Sequence, residues 1–292
     1  MPRSLLVLLV IMTVSFVPTL CTVTDAELQQ KYGSLPLTFR QSIAGNHLHF
    51  NASGKPANSP KAATWTTDSQ IRINKISLEK GVLRIEGHRS FFFYDPWTNQ
   101  MRNMGELASD DPAMVLFKGQ PKDVHAWYEK TSALKVDIEC GSAQPEMDDI
   151  AKCMNNVFRD RMETTETELA KANARLAELK NDPKKVTAAD VPKGPSAPMR
   201  VGNGVSPPRA LHTPDPSYTE IARSAGYQAK TVLWLIVGAD GLPRDVKVSR
   251  PVGLGLDDEA VKAVEAWKFA PAMKDGSPVA VMINVEVNFR LY

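Results

Sequence analysis

The sequence predicts an α+β fold: a small antiparallel β-rich amino-terminal domain, a long helix and a Pro-rich linker, then a carboxy-terminal α-β-β-α-β domain with a three-stranded antiparallel sheet. Three observations carry this. From Val279 to Tyr292 the chain alternates without a break. Val279, Val281, Ile283, Val285, Val287, Phe289 and Leu291 fall on one face, and Met282, Asn284, Glu286, Asn288 and Arg290 on the other, the period of a half-buried strand. Between Met147 and Leu179 apolar residues recur instead at the three-and-four spacing of a helix. Between these, 182–207 sets Pro183, Pro192, Pro195, Pro198 and Pro207 among Lys, Ala, Gly and Ser, too little apolar surface to order itself.

The first 22 residues read as a secretory signal peptide. Arg3 precedes an apolar run from Leu5 to Val17, and the first acid is Asp25. The run is roughly sixteen residues, just short of the about twenty that span a bilayer, so a retained signal anchor in the inner membrane is the alternative. Once Cys21 leaves with the leader, Cys140 and Cys153 remain, an even pair in an exported chain, which reads as a disulfide with two separate buried thiols as the alternative. Closing a loop of about fourteen residues would contribute on the order of 3 kcal/mol.

At 292 residues and 43% hydrophobic the chain supports two cores joined by a stiff connector. Lys plus Arg total 35 against 33 Asp plus Glu, so no global field draws nucleic acid, and no nucleic-acid partner is expected.

Residues 28–140 form the β-rich domain. Gln70–Ile73, Ile76–Leu78 and Val82–Ile85 lie around the turn Glu79-Lys80-Gly81, and further short strands are expected at Ser90–Tyr94, Ala113–Phe117, Ala126–Glu129 and Leu134–Ile138. Asn51–Lys61 reads as a loop. Over 143–181, Pro145 with Glu146, Asp148 and Asp149 marks the start of one helix of about 37 residues, roughly 55 Å long. Leu169 to Leu179 carries the spacing of a short coiled-coil seam, compatible with a homodimer but too brief to set the oligomeric state, or else the stripe of a lone solvated helix.

In 208–292 a short helix opens near Pro216 and ends at Gly226. Strands Thr231–Val237 and Asp245–Ser249 flank Ala239-Asp240-Gly241. Asp257 caps a helix that buries Ala260, Val264 and Trp267 and ends at Lys268, and the Asp275-Gly276 turn leads into the last strand.

Catalytic chemistry does not emerge. His47 and His49 share one face of a strand, but no third metal ligand stands at a recognised spacing, so they read as solvated histidines. Gly253-Leu254-Gly255 precedes a helix, yet Asp257, Asp258 and Glu259 would repel an anion there. The sequence has no Gly-x-Ser-x-Gly, phosphate-binding loop or Cys-x-x-Cys. No catalytic residue, metal or cofactor is expected; the chain reads as a non-enzymatic binding module.

Tyr218, Ala222-Arg223, Thr231-Val232, Asp240-Gly241, Val246, Val248, the Leu256-to-Trp267-Lys268-Phe269 stretch, Pro271-Ala272, Asp275-Gly276 and Val285-x-Val287-x-Phe289-x-Leu291 together resemble the TonB C-terminal domain family, over about 207–292. The resemblance implies a location in the periplasm of a Gram-negative bacterium and transfer of force from an inner-membrane motor to outer-membrane transport receptors. It also implies that a strand pairs with a short receptor peptide. On this resemblance the partner-facing residues are Asp215, Pro216, Ser217 and Tyr218, with Ile283, Asn284, Val285, Glu286, Val287, Asn288, Phe289 and Arg290 of the last strand. The sequence departs from the family at Thr219, where Pro is usual, and at Lys230, where Gly is usual. Its leader also lacks a histidine, and a β-domain intervenes before the linker. The alternative is a non-energised envelope scaffold that binds a periplasmic protein or cell wall.

Overall fold

The structure, a computed structural model, describes residues 23–33, 36–57, 61, 63–117, 123–159, 168–179 and 197–291. The leader and the linker up to residue 196 lie outside the described residues, so the expectations made for them are not addressed by it.

Helix α1 (Asp25–Tyr32) starts on a capping box: the Glu27 N–H donates to Thr24 Oγ1 at 3.3 Å, and the Thr24 N–H donates to the Glu27 carboxylate at 2.8 Å. There follow β1 (Leu37–Thr38), β2 (His47–Phe50), α2 (Trp65–Asp68), β3 (Gln70–Glu79), β4 (Val82–Arg89), β5 (Phe92–Asp95), β6 (Gln100–Asn103), α3 (Val124–Ser132), β7 (Ala133–Glu139) and α4 (Met147–Val157). Strands β1-β3-β4-β7-β2 form one sheet, antiparallel except that β2 runs parallel to β7. Lys80 and Gly81, with φ of 50° and 80°, make the tight β3–β4 turn that their sequence signalled. Ile71, Ile73, Leu83, Ile85, Val136 and Ile138 face a core closed by Leu28 of α1 and Ile150 and Met154 of α4.

Cys140 after β7 and Cys153 in α4 are joined as a disulfide, with Cα atoms 5.6 Å apart. Replacing both by serine is expected to lower stability by about 3 kcal/mol, read as a shift in the urea midpoint. A midpoint identical to that of the unreduced parent would show that α4 docks without the cross-link.

Two expected strands are helical. Pro112–Leu116 is a 3₁₀ helix whose start is set by Asp111 accepting from the Ala113 N–H at 2.9 Å, and α3 is capped by Asp123 accepting from the Ala126 N–H at 3.0 Å. These aspartates satisfy the first N–H groups locally and outweigh the short apolar runs that suggested strands. The long helix of 143–181 is also not continuous. Phe158 caps α4 in extended backbone, its ring 4.8 Å from that of Phe39. The Arg159 N–H donates to Thr38 O at 2.8 Å and the Arg40 N–H to Val157 O at 3.0 Å. Burying Phe158 and pairing the backbone along the edge of β1 displaces helix propagation there.

A separate helix, α5 (Glu168–Leu179), lies on the β5–β6 hairpin. Asn173 Oδ1 accepts from the Met101 N–H at 2.7 Å, and Asn99 Nδ2 donates to Leu176 O at 2.9 Å. Leu169, Ala172 and Leu176, the stripe read as a seam, therefore pack against Phe92 and Met101 of the same chain.

The remaining elements are β8 (Met199–Arg200), β9 (Arg209–His212), α6 (Glu220–Ser224), β10 (Ala229–Val237), β11 (Pro243–Arg250), α7 (Leu256–Glu265), β12 (Lys268–Ala270), β13 (Ala272–Lys274), β14 (Ser277–Val279) and β15 (Val281–Phe289). The chain is thus α+β, but its last sheet has four strands, β11-β10-β15-β8, not three. Helix α7 covers one face with Leu256, Ala260 and Val264. Its N-cap is Gly255, at φ 76°, and Asp257 is buried inside the first turn. The helix stops at Glu265, so Trp267 lies beyond it and is only partly buried; its indole N–H donates to Pro214 O at 3.2 Å. Lys268–Ala270 pairs with Arg209–His212 instead of ending the helix.

The amino-terminal half is not held apart by the linker. Phe91, Phe93 and Phe117 belong to the same buried cluster as Tyr227, Leu233 and Leu254. The Tyr94 N–H donates to Val252 O and the Leu254 N–H to Phe92 O, both at 2.9 Å, so β5 pairs with the loop ahead of α7. The two halves thus share this cluster, beside the separate core that the β1-β3-β4-β7-β2 sheet closes against α1 and α4.

Candidate partner-binding site

The last strand pairs along its whole length with β10, from Val237↔Val281 to Ala229↔Phe289. On its other side lies β8, parallel, at Val281↔Met199 and Met282↔Arg200, with the Met199 N–H donating to Ala280 O at 2.9 Å. Backbone groups alternate sides along a strand. The even-numbered residues of β15 therefore face the β8 side, and Ile283, Val285, Val287 and Phe289 face β10. Beyond Met282 no described strand pairs on the β8 side.

The predicted site residues divide accordingly. Val287 and Phe289 are core side chains, and Ile283 and Val285 pack against the same core. Asn288 and Arg290 are exposed. Glu286 receives Lys230 Nζ at 3.1 Å, and both Asn284 and Glu286 take part in further contacts. In the other segment Asp215 and Ser217 are exposed and Pro216 is half-buried. The Tyr218 hydroxyl donates to Tyr227 O at 2.6 Å, its ring meets Phe289 edge-on at 5.6 Å, and the Arg223 guanidinium lies 5.7 Å over that ring. Burial pushes the Tyr218 hydroxyl up to about 12, so it remains a protonated donor at neutral pH. Tyr218 thereby fastens the 215–218 segment to the far end of β15, bringing the two predicted stretches together.

Sequence reasoning missed Met199, Arg200 and Lys230. A two-residue strand inside a Pro-rich stretch has no periodicity to detect.

Below this surface, Asp257 accepts from the Val252 N–H at 2.9 Å and the Gly253 N–H at 2.8 Å, with Thr231 Oγ1 at 3.2 Å. Desolvation raises its carboxyl to about 6 against the pull of those donors. The contact ties the start of α7 to β10 and to the loop that meets β5. Elsewhere, Ser132, His88 and Glu129 line up as a hydrolase-like trio, with Ser132 Oγ 3.1 Å from His88 Nδ1 and His88 Nε2 3.0 Å from Glu129. Ser132 is fully buried and donates to Tyr128 O at 2.6 Å, so its oxygen is closed to substrate.

The fold is an α+β one whose last strand is paired over its whole length on one side and over two residues by β8 on the other. Residues 214–291 match the family described as Gram-negative bacterial TonB protein C-terminal. Protein tonB2 of Pseudomonas aeruginosa is 34% identical over 82 residues, 28% of this chain and 30% of the relative. Protein TonB of Vibrio cholerae is 30% identical over 107 residues, 33% of this chain and 43% of the relative. A solution NMR structure of the Pseudomonas aeruginosa TonB CTD aligns over 31% of this chain and 89% of that chain, with a TM-score of 0.25 and 20% identity. The chain spans less than half the length of the curated relatives it matches. Among the described residues no helix is long and apolar enough to cross a membrane.

Proposed function

We propose that this chain is a periplasmic TonB-type protein whose carboxy-terminal domain binds a short extended peptide of an outer-membrane TonB-dependent receptor by strand addition at β15, and so serves receptor-linked transport. The family match supports the receptor partner, and the short hold of β8 on the second side of β15 carries the mode of binding. Asn284 and Glu286 already have contacts, so addition is an exchange of partners and not the filling of vacant positions. The two residues of β8 are exposed, and a backbone hydrogen bond contributes only about 0.5–1.5 kcal/mol net. A longer visiting strand, pairing with the even-numbered residues, outcompetes so brief a ladder.

Energy transfer further requires that residues 1–22 stay in the membrane as an anchor. A non-energised scaffold is the competing reading. It is favoured by the shared core, which makes the TonB-type domain part of a larger rigid body rather than a domain on a free tether.

The test is fluorescence anisotropy of a labelled receptor-plug peptide against the full chain. Met199→Pro removes the N–H that holds β8 to Ala280 O and is expected to tighten binding roughly 2- to 10-fold. Asn288→Pro removes a donor on the β8 side and is expected to weaken it. Affinity unchanged in both variants rejects strand addition. Val285→Pro is not informative, because its N–H serves the β10 ladder and the substitution breaks the sheet itself. Intact-mass analysis of the exported protein then separates the readings: loss of residues 1–22 removes the anchor and leaves the scaffold.

A further inference from the structure

We propose that the amino-terminal domain carries a surface site for a divalent transition-metal ion, formed by His47, His49 and Asp137. The sequence supplied only two of these ligands. The sheet supplies the third, because β2 runs parallel to β7 in a register that sets His49 directly beside Asp137 and His47 one step along. His47 and His49 point to the same face of β2, with ring centroids 4.1 Å apart. His47 Nε2 lies 3.1 Å and His49 Nδ1 3.5 Å from the same oxygen, Asp137 Oδ2.

The candidate ligand atoms of the three residues all lie within 4.8 Å of one another. Tetrahedral ligands about 2.0–2.2 Å from a zinc ion stand about 3.3–3.6 Å from each other, a spacing these side chains reach by small rotations. Two imidazoles and a carboxylate suit zinc, nickel or copper better than calcium or magnesium, which prefer all-oxygen shells. Three protein ligands leave one position for water or for a group from another molecule.

The backbone and the neighbouring charges fit the same conclusion. Strand β2 is held on both sides, by the β7 ladder on one and by the Ala57 N–H donating to His49 O at 2.8 Å on the other, so the ligands sit on a rigid ribbon. The two cations nearest in register are already paired. Lys135, opposite His47, lies 3.3 Å from Glu86, and Arg84, opposite Asp137, lies 2.6 Å from Glu79. The cluster thus faces no unmatched positive charge from its flanking strands.

Isothermal titration of untagged full-length protein with zinc chloride tests this, together with His49→Ala, Asp137→Asn and a control, His125→Ala. One ion is expected per chain. Affinity should fall at least about tenfold in each ligand variant and stay unchanged in the control. All three ligand side chains lie at the surface, and thermal melting of the metal-free variants verifies that they fold. Absence of zinc binding at sub-millimolar concentration, or binding that survives both ligand substitutions, overturns the proposal. This site is independent of the peptide site, so either can fail without the other.

Discussion

Replacing Phe93 by alanine is expected to cost about 3–5 kcal/mol and to loosen both halves of the molecule together. Phe93 comes from the amino-terminal half, yet it is fully buried in the cluster that contains Tyr227 and Leu254, with its ring edge-on to Phe117 at 5.1 Å and to Tyr227 at 6.3 Å. Its removal leaves a cavity that neither half can close alone. Native-state hydrogen exchange reads the result: amide protection should drop in β10 as well as in β4. Protection of β10 at its parent value would mean that the carboxy-terminal domain stands on its own.

Gly253→Ala attacks the same seam through the backbone. Gly253 sits at φ +89°, and an added Cβ would fall 2.1 Å from Phe92 O, so β5 would have to move away from Val252 and Leu254. If partner binding depends on the shared core, both variants should weaken peptide affinity even though neither residue reaches the binding edge.

The second large effect is expected at Asp257, and it depends on pH. The folded chain holds this proton more tightly than the unfolded chain, because burial raises the carboxyl from 3.8 to about 6. The folded state therefore binds more protons between those values, and the contribution of this group falls as pH rises through that window. The loss amounts to about 3 kcal/mol by pH 7, and Asp257→Asn should abolish this part of the pH profile. Asp257→Ala leaves the buried Val252 and Gly253 N–H groups without an acceptor, at a cost of roughly 2–4 kcal/mol near pH 5. The cost should be smaller at pH 8, where losing a buried charge offsets part of it. Urea unfolding across pH 4–8 measures both variants; a profile that Asp257→Asn leaves unaltered would show that the carboxyl titrates at its ordinary value.

Much of the carboxy-terminal domain was legible because its signals are local. Alternation marked β10 and β15, Asp240-Gly241 marked the turn from β10 to β11, and the spacing of Ala260 and Val264 marked α7; Asp275-Gly276 turns instead between β13 and β14, so Val279 belongs to that hairpin and the last strand begins at Val281. The candidate site was legible only as a region. Sequence placed Val287 and Phe289 among partner contacts, but their side chains close the core and their backbone serves β10. Asp111 and Asp123 turned two supposed strands into helices by capping them, a choice between local competitors that short apolar runs do not decide.

The sequence by itself determined the α+β class, the periodic elements, the cysteine pair and the family resemblance of the last domain, since each rests on residues near one another or on a pattern carried within the chain. Tertiary structure alone decided that Phe158 leaves a helix to join β1, that β8 sits against β15, that the two halves share a core, and that Asp137 stands beside His47 and His49. Each of these is a contact between residues far apart in sequence. Its free energy comes from surface buried and ladders paired only after the chain has folded back on itself, and no local periodicity records it.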